Sequence, residues 1–291
     1  TWDRSKEILT IVRDRFGEKP LYWYKEINEY FDERIIFSSD LNAIKEVSIK
    51  KLEINNKALE EYLKNGYIFS KNTIYKNIFR LMPGTKIEFE IKNKNNNQIK
   101  IKEKHGRYWS INNYKIDINQ NQSEEEYINE LDILLNNVIK ETTNADSEIG
   151  VMLSGGVDSS LIAAMYAKNS TDRIKTFTAT YEENLTNSKT DQYLAKKVAE
   201  HINAHHNEVR VSGNDAITLL EEMSKINCEP LADMSQLPVF AVSKEIKNNN
   251  LKGVLSGDGA DELFGGYKKY QALIILKKLS QYINNKNTLK V

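Results

Sequence analysis

The sequence predicts an α/β domain between about residues 123 and 291, built on a parallel sheet with helices wound over both faces. Before it comes a strand-rich α+β segment, residues 1–110. Three observations carry this. Short apolar runs alternate with segments of helical period from Ile149 onward, the pattern of successive βαβ units. Two glycine-rich loops each follow such a run directly, which puts them beyond the carboxyl ends of strands, where open α/β sheets bind ligands. In the first third, apolar residues recur with period two, as in half-buried strands.

The elements follow in order. Leu9–Val12, Leu21–Tyr24 and Arg34–Phe37 read as strands, with the turn signal Arg13-Asp14-Arg15-Phe16-Gly17 between the first two. Lys57–Lys64 reads as a helix that Asn65-Gly66 closes with a left-handed cap. Pro83-Gly84 marks a turn. Ile87–Ile91 and Ile99–Ile101 form a hairpin around the polar tract Lys92–Asn97. Ile111–Gln122 is polar and Asn/Gln-rich, and is the expected linker. Ser123-Glu124-Glu125-Glu126 is a capping box that opens a helix, with Tyr127, Ile128, Leu131, Leu134, Leu135 and Val138 at helical spacing. Strands are then expected at 149–153, 174–180, 207–211 and 253–256. Helices are expected at 159–168, 191–202, 214–226 and 238–248.

Composition narrows the function. The 291 residues carry 41 basic and 41 acidic side chains, a net charge of zero. Non-specific binding to nucleic acid or to an anionic membrane needs a basic face, so neither is expected as a partner. No apolar run approaches the ~20 residues that cross a bilayer. Cys228 is the only cysteine, which excludes an intramolecular disulfide and suits a reducing compartment, the cytoplasm. His201, His205 and His206 lack the spacing of a metal site and read as surface or packing residues, and Cys228 as a small buried hydrophobe. Tyr22, Trp23 and Tyr24 read as strand packing.

The first loop is Ser154-Gly155-Gly156-Val157-Asp158-Ser159, between the strand ending at Leu153 and the helix beginning at Ser159. Two glycines let the backbone curl close to a ligand, and the helix N-terminus offers N–H groups to an anion. Ser154 and Ser159 add hydroxyls. Asp158 would repel a phosphate unless a divalent cation lay between them, so Mg²⁺ is expected with a phosphate ligand. The Gly-Lys-Ser/Thr ending of a Walker loop is missing. The second loop, Ser256-Gly257-Asp258-Gly259-Ala260-Asp261-Glu262-Leu263-Phe264-Gly265-Gly266-Tyr267, is flexible and acidic and follows the strand Gly253–Leu255. A parallel sheet would put both loops at one edge, with a cation held against a nucleotide.

Together the two loops resemble those of the glutamine-dependent asparagine synthetase family. Arg13–Tyr22, Glu61-Tyr62-Leu63, Gly66-Tyr67-Ile68, Leu81-Met82-Pro83-Gly84, Arg107-Tyr108-Trp109 and Glu229-Pro230-Leu231-Ala232-Asp233 extend the resemblance over nearly the whole chain. The resemblance implies an adenine nucleotide alpha hydrolase-like synthetase domain, preceded by the C-terminal part of an Ntn-type class II glutaminase domain. It implies that ATP activates a carboxylate as an acyl-adenylate, releasing pyrophosphate, and that ammonia from glutamine attacks to form an amide. Leu153, Ser154, Gly155, Gly156, Ser159, Ala179, Ser256 and Gly257 would contact ATP. Asp158 and Asp261 would hold Mg²⁺, with Asp258 and Asp261 as the catalytic pair. The substrates would be glutamine or ammonia, aspartate or another carboxylate, and ATP, and the family leaves room for a homodimer.

The chain departs from the family pattern in places. That family's nucleophile is an N-terminal cysteine, whereas this chain begins with Thr1, and the family continues past Val291 with a lysine that helps adenylation. An internal fragment, without glutaminase activity alone, is therefore expected. Asp258 stands where asparagine-forming members carry Glu, as in relatives that amidate sugar acids of surface polysaccharides, and Asn42 stands where Lys is expected. Competing readings are a nucleotide-binding module without turnover and an RNA sulfur transferase. Zero net charge and the glutaminase-like first third disfavour the latter.

Overall fold

In the computed structural model, which describes residues 1–27, 32–93, 99–114, 122–181 and 189–286, the chain forms two units. Unit 1 takes residues 1–120 with 220–234, and unit 2 takes residues 121–219 with 235–291.

Unit 1 begins with β1 (Trp2–Asp3), β2 (Ile8–Val12), β3 (Tyr22–Ile27) and β4 (Glu33–Ser38). It continues with α1 (Leu41–Val47), α2 (Asn56–Asn65), β5 (Ile78–Arg80), β6 (Thr85–Asn93) and β7 (Ile99–Arg107). Two antiparallel sheets result, ordered β1-β2-β6-β7 and β4-β3-β5. Side-chain alternation explains the layering. Trp23 points into a core with Ile11, Ile87, Phe89 and Ile101 of the other sheet, its ring 5.1 Å from Phe79 and 5.5 Å from Phe89. Its neighbours Tyr22 and Tyr24 point the other way, onto Leu41 and Ile44 of α1 and Ala58 of α2. The aromatic triplet is strand packing, as its pattern predicts. Helix α2 has Asn55 as its N-cap and the left-handed Gly66 as its C-cap. The tip of the predicted hairpin, residues 94–97, and most of the predicted linker, 115–121, lie outside the described residues.

Glu26 is a buried carboxylate in this unit. It accepts from Arg34 Nε at 2.7 Å, from the Ile49 and Lys50 N–H groups at 3.0 Å and from Ser48 Oγ at 3.1 Å. Burial pushes its carboxyl upward, but the Lys50 N–H, Arg34 and Ser48 together outweigh that and hold it below its ordinary range. Glu26→Ala should therefore cost about 3 kcal/mol in urea unfolding, the low end for a broken buried pair because Arg34 reaches solvent. With a lowered folded value, the contribution is complete above about pH 4.3 and is lost as pH falls through that folded value. A wild-type and variant difference that stays constant through the acid range would contradict this.

Unit 2 starts with α3 (Glu124–Thr143), whose Ser123–Glu126 capping box is formed as predicted. There follow β8 (Ile149–Met152), α4 (Val157–Asn169), β9 (Lys175–Tyr181), α5 (Lys189–His201), β10 (His205–Val211) and α6 (Gly213–Ile226), whose residues from 220 onward are assigned to unit 1. Next come α7 (Gln236–Asn248), β11 (Gly253–Leu255), α8 (Ala260–Phe264) and α9 (Lys268–Lys286). Every strand pair is parallel and the order is β10-β9-β8-β11. One face of the sheet packs Val151 and Leu153 against Ala163 of α4 and Ala195 and Ala199 of α5. The other packs Phe177 against Val242 and Ile246 of α7, and Val211 against Leu219 of α6. The sheet is doubly wound, and the short strands β8 (Ile-Gly-Val-Met) and β11 (Gly-Val-Leu) are apolar throughout, as coverage on both faces favours.

Two local expectations change. His205 and His206 are strand residues and do not merely precede one, because pairing with β9 already begins at His205↔Lys175. Pro238 does not open α7 but sits in its first turn, where its missing N–H costs nothing. No described helix is long and apolar enough to cross a membrane.

Candidate functional site

Strands β8 and β11 are parallel neighbours, with Val151 opposite Leu255. The loops that follow them therefore leave at the same rim of the sheet. This is also where the strand order reverses, since β9 and β10 lie to one side of β8 and β11 to the other. Such a switch point leaves a crevice outside the strand ends.

Both loops are locked by backbone contacts that only glycine allows. At Gly155, φ is +88°, and an added Cβ would lie 2.3 Å from the Asp191 carbonyl oxygen and 2.8 Å from the Ala195 nitrogen of α5. At Gly257, a Cβ would lie 2.9 Å from the Ser159 nitrogen. The second loop thus rests directly on the first turn of α4.

The crevice has a volume of about 330 Å³. Leu153, Ser154, Gly156, Asp158 and Ser159 from the first loop line it, with Ala179 from β9 and Ser256, Gly257, Asp258 and Asp261 from the second loop. Gly155 is the one predicted residue that does not; its backbone is turned under α5. Sequence reasoning missed Met152, Phe177, Thr178, Pro238, Val239 and Val242, which complete the wall. The signal for Phe177 and Thr178 was their place on the strand with Ala179. Nothing in the sequence links Pro238 and Val239 to either loop. A larger cavity of about 420 Å³ in unit 1 contains no helix N-terminus and a single carboxylate, Glu103.

Hydroxyls organise the first loop. Ser154 Oγ and Ser159 Oγ are 2.9 Å apart, Ser154 N–H donates to Ser159 Oγ at 3.2 Å, and Gly156 N–H donates to Ser154 Oγ at 3.3 Å. Thr178 Oγ1 donates to the Leu153 carbonyl and fixes the strand end. The N-cap of α4 is Gly156, which supplies no side-chain cap. The first N–H groups of this helix are left to bind an anion. In the second loop, Ser256 Oγ donates to Asp258 Oδ2 at 2.9 Å. The Glu262 carboxylate beside Tyr267 pushes that phenol upward, with burial and Asp261 adding to the effect.

Three aspartates thus share one crevice with a helix end that has no side-chain cap. Neither Asp158 nor Asp261 has an ion-pair partner among the described residues. No group of three or more His, Cys, Asp or Glu side chains among the described residues could cage a metal. Mg²⁺ does not need such a cage, since it binds through one or two carboxylates and takes its other ligands from water and phosphates. The donor set fits Mg²⁺ brought in with a polyphosphate.

The Asparagine synthase family model matches residues 130–290, and the Glutamine amidotransferase domain model matches residues 1–109. A Methanocaldococcus jannaschii protein with a glutamine-hydrolysing asparagine synthetase name is 32% identical over 97% of this chain and 52% of its own length. Asparagine synthetase (glutamine-hydrolysing) 1 of Bacillus subtilis is 28% identical over 95% of this chain and 40% of its own length. The chain thus spans about half the length of these relatives or less. A solved NH3-dependent NAD synthetase from Campylobacter jejuni matches 48% of this chain and 60% of its own, at 18% identity and a TM-score of 0.34, a likeness too slight to bear on function. With one family model covering the crevice and most of unit 2, and the other covering the two-sheet unit before it, the chain belongs to the asparagine synthase family.

Proposed function

We propose that this chain belongs to an ATP-dependent, amide-forming ligase of the glutamine-hydrolysing asparagine synthase type. The observation that carries the reading is the convergence of an uncapped helix N-terminus, two serine hydroxyls and three aspartates in one crevice at the sheet's switch point. The pyrophosphate portion of ATP lies on the α4 N-terminus and the Ser154–Ser159 loop. Leu153 and Ala179 pack against the nucleotide, together with Ser256 and Gly257. Asp158 and Asp261 would hold Mg²⁺, which would offset charge on the departing pyrophosphate.

The chemistry follows from leaving groups. A carboxylate oxygen attacks the α-phosphorus, the bond to the β-phosphate oxygen breaks, and pyrophosphate leaves. Ammonia nitrogen then attacks the acyl carbon, the C–O bond to AMP breaks with its electron pair, and a proton is lost to give the neutral amide. Asp258, fixed by Ser256, faces the activated acyl group, and Asp261 is its catalytic partner. Glutamine is the expected ammonia source, because unit 1 matches a glutamine amidotransferase domain. Aspartate is the first acceptor to test, and the cytoplasm the expected compartment.

The test is equilibrium binding of ATP to the 291-residue chain, with Mg²⁺ and with a chelator. ATP should bind more tightly with Mg²⁺, and should compete with pyrophosphate. No binding in either condition would overturn the proposal. Carboxylate-dependent ATP–pyrophosphate exchange, with aspartate and then sugar acids, identifies the acceptor.

A further inference from the structure

Strand β7 is the outer strand of its sheet, and among the described strands it pairs with β6 alone. Alternate residues of such a strand turn both backbone groups away from the sheet. In β7 these are the odd-numbered residues. Near the start of the strand they are covered. The Ile99 N–H donates to Asp32 Oδ1 at 3.0 Å, the Ile101 N–H donates to Glu33 Oε2 at 2.6 Å, and the Ile101 carbonyl accepts from Lys25 Nζ at 3.1 Å. Beyond Ile101 the cover ends. The backbone groups of Glu103, His105 and Arg107 have no hydrogen-bond partner among the described residues. A row of open groups is a template for a further strand.

The side chains beside this edge select what can add to it. Odd-numbered side chains face the other sheet, since Ile101 is in the core and the His105 ring lies 6.0 Å from that of Trp23. Glu103, His105 and Arg107 line the cavity of about 420 Å³, which has Trp23, Phe79 and Leu81 as its apolar wall. An added strand would turn every second side chain toward that wall. Its other side chains would lie beside Lys102 and Lys104 on the opposite face. Lys102 has no ion-pair partner among the described residues. Lys104 stands 3.9 Å from Glu88, whose carboxylate Lys86 holds more closely at 2.6 Å. Opposite charges across a strand pair attract, and like charges repel. A second copy of β7 would set lysine against lysine, whereas an acidic strand would match both.

We infer that the 103–107 edge of β7 is a docking site for an extended segment of a partner polypeptide, with carboxylates at alternate positions and apolar side chains between them. The segment adds a fifth strand to the sheet β1-β2-β6-β7. Its backbone takes the open groups of Glu103, His105 and Arg107. Its carboxylates meet Lys102 and Lys104, and its apolar side chains turn toward Trp23. Every group involved lies in unit 1, so the inference is independent of the nucleotide reading.

Hydrogen exchange of the intact chain with the peptide acetyl-Glu-Val-Glu-Val-Glu-Val-amide tests this. At saturation the Glu103, His105 and Arg107 amides should slow about tenfold or more. The Lys102 and Lys104 amides, already directed at β6, and the Ile101 amide, already bonded to Glu33, should slow less than about twofold. No slowing at the three odd-numbered amides overturns the inference and leaves the lysines as guards of a free edge. Slowing that grows with protein concentration in the absence of peptide also overturns it, because a second copy then holds the edge. The peptide acetyl-Lys-Val-Lys-Val-Lys-Val-amide should not bind, and equal binding would overturn the charge match. Lys102→Glu should raise the Kd for the acidic peptide about fivefold. His105→Pro removes one outward N–H and no bond to β6, and should raise it about tenfold. An unchanged Kd in Lys102→Glu overturns the charge match, and an unchanged Kd in folded His105→Pro overturns strand addition at this edge.

Discussion

Asp158→Asn should bind ATP about a hundredfold more weakly than the wild-type chain when Mg²⁺ is present, and at least as tightly when it is chelated. The sign inversion follows from charge. Asp158 sits in the first turn of α4, at the helix end that offers its N–H groups to an anion. Without a cation its carboxylate repels the phosphates, so neutralising it removes a cost. Where Mg²⁺ is bound, the same carboxylate would serve as a ligand, and its loss would remove that ligand and the charge compensation the ion would supply. Asp261→Asn should behave alike, because Asp261 lines the same crevice and also has no ion-pair partner among the described residues. ATP–pyrophosphate exchange by the active enzyme should fall about a hundredfold or more in either variant, the scale of losing one preorganised electrostatic group. Isothermal titration under the two metal conditions separates this from a packing defect. Equal weakening with and without Mg²⁺ would mean that the aspartate only shapes the loop.

The candidate site is local in sequence. Each loop is contiguous, and the parallel sheet that brings them together is announced by its alternating strands and helices. The period-two runs of unit 1 and the Ser123 capping box are legible for the same reason, since each is decided within a few residues. What was not legible depends on tertiary context. Helix α1 is only a turn or two long, with Leu41 and Ile44 buried, too short to establish a period. Strand β5 is three residues paired to β3, and nothing local distinguishes it from a loop. The sequence marks Glu229 only as part of a family-like segment; its partner Arg80 lies 149 positions away and is visible only in the fold. Asn42 departs from the expected Lys, yet its amide is used, donating to the Ile226 carbonyl. The helix α9 carries Leu273, Ile274, Ile275 and Leu276 in succession, all more than half exposed. Four consecutive apolar residues point around the whole helix, so no amphipathic stripe marks its boundaries.

Gly155→Ala should be the most damaging single methyl in unit 2. Two costs add at this position. A φ of +88° places an L-residue in the left-handed region, worth about 1–2 kcal/mol. The new Cβ would also meet the Asp191 carbonyl oxygen and the Ala195 nitrogen, both backbone atoms of α5, well inside contact distance. Neither can swing aside as a side chain could, so loop and helix must separate at an overpacking cost of about 1–3 kcal/mol. The sum, about 2–5 kcal/mol, should appear in urea unfolding followed by helical circular dichroism, as a lower midpoint with an unchanged slope. Gly213→Ala is the matched control: it opens α6, and its added Cβ would meet nothing within 4 Å. It should leave stability within about 0.5 kcal/mol of wild type. The two variants differ by the same single methyl, so hydrophobicity and mass cannot explain a divergence between them. Any Gly155→Ala protein that remains folded should also lose ATP affinity, because separating the loop from α5 tilts the Gly156–Ser159 N–H groups away from the phosphates. Wild-type stability together with wild-type ATP affinity in Gly155→Ala would show that the loop is not braced by α5, and that its anion-binding shape has another origin.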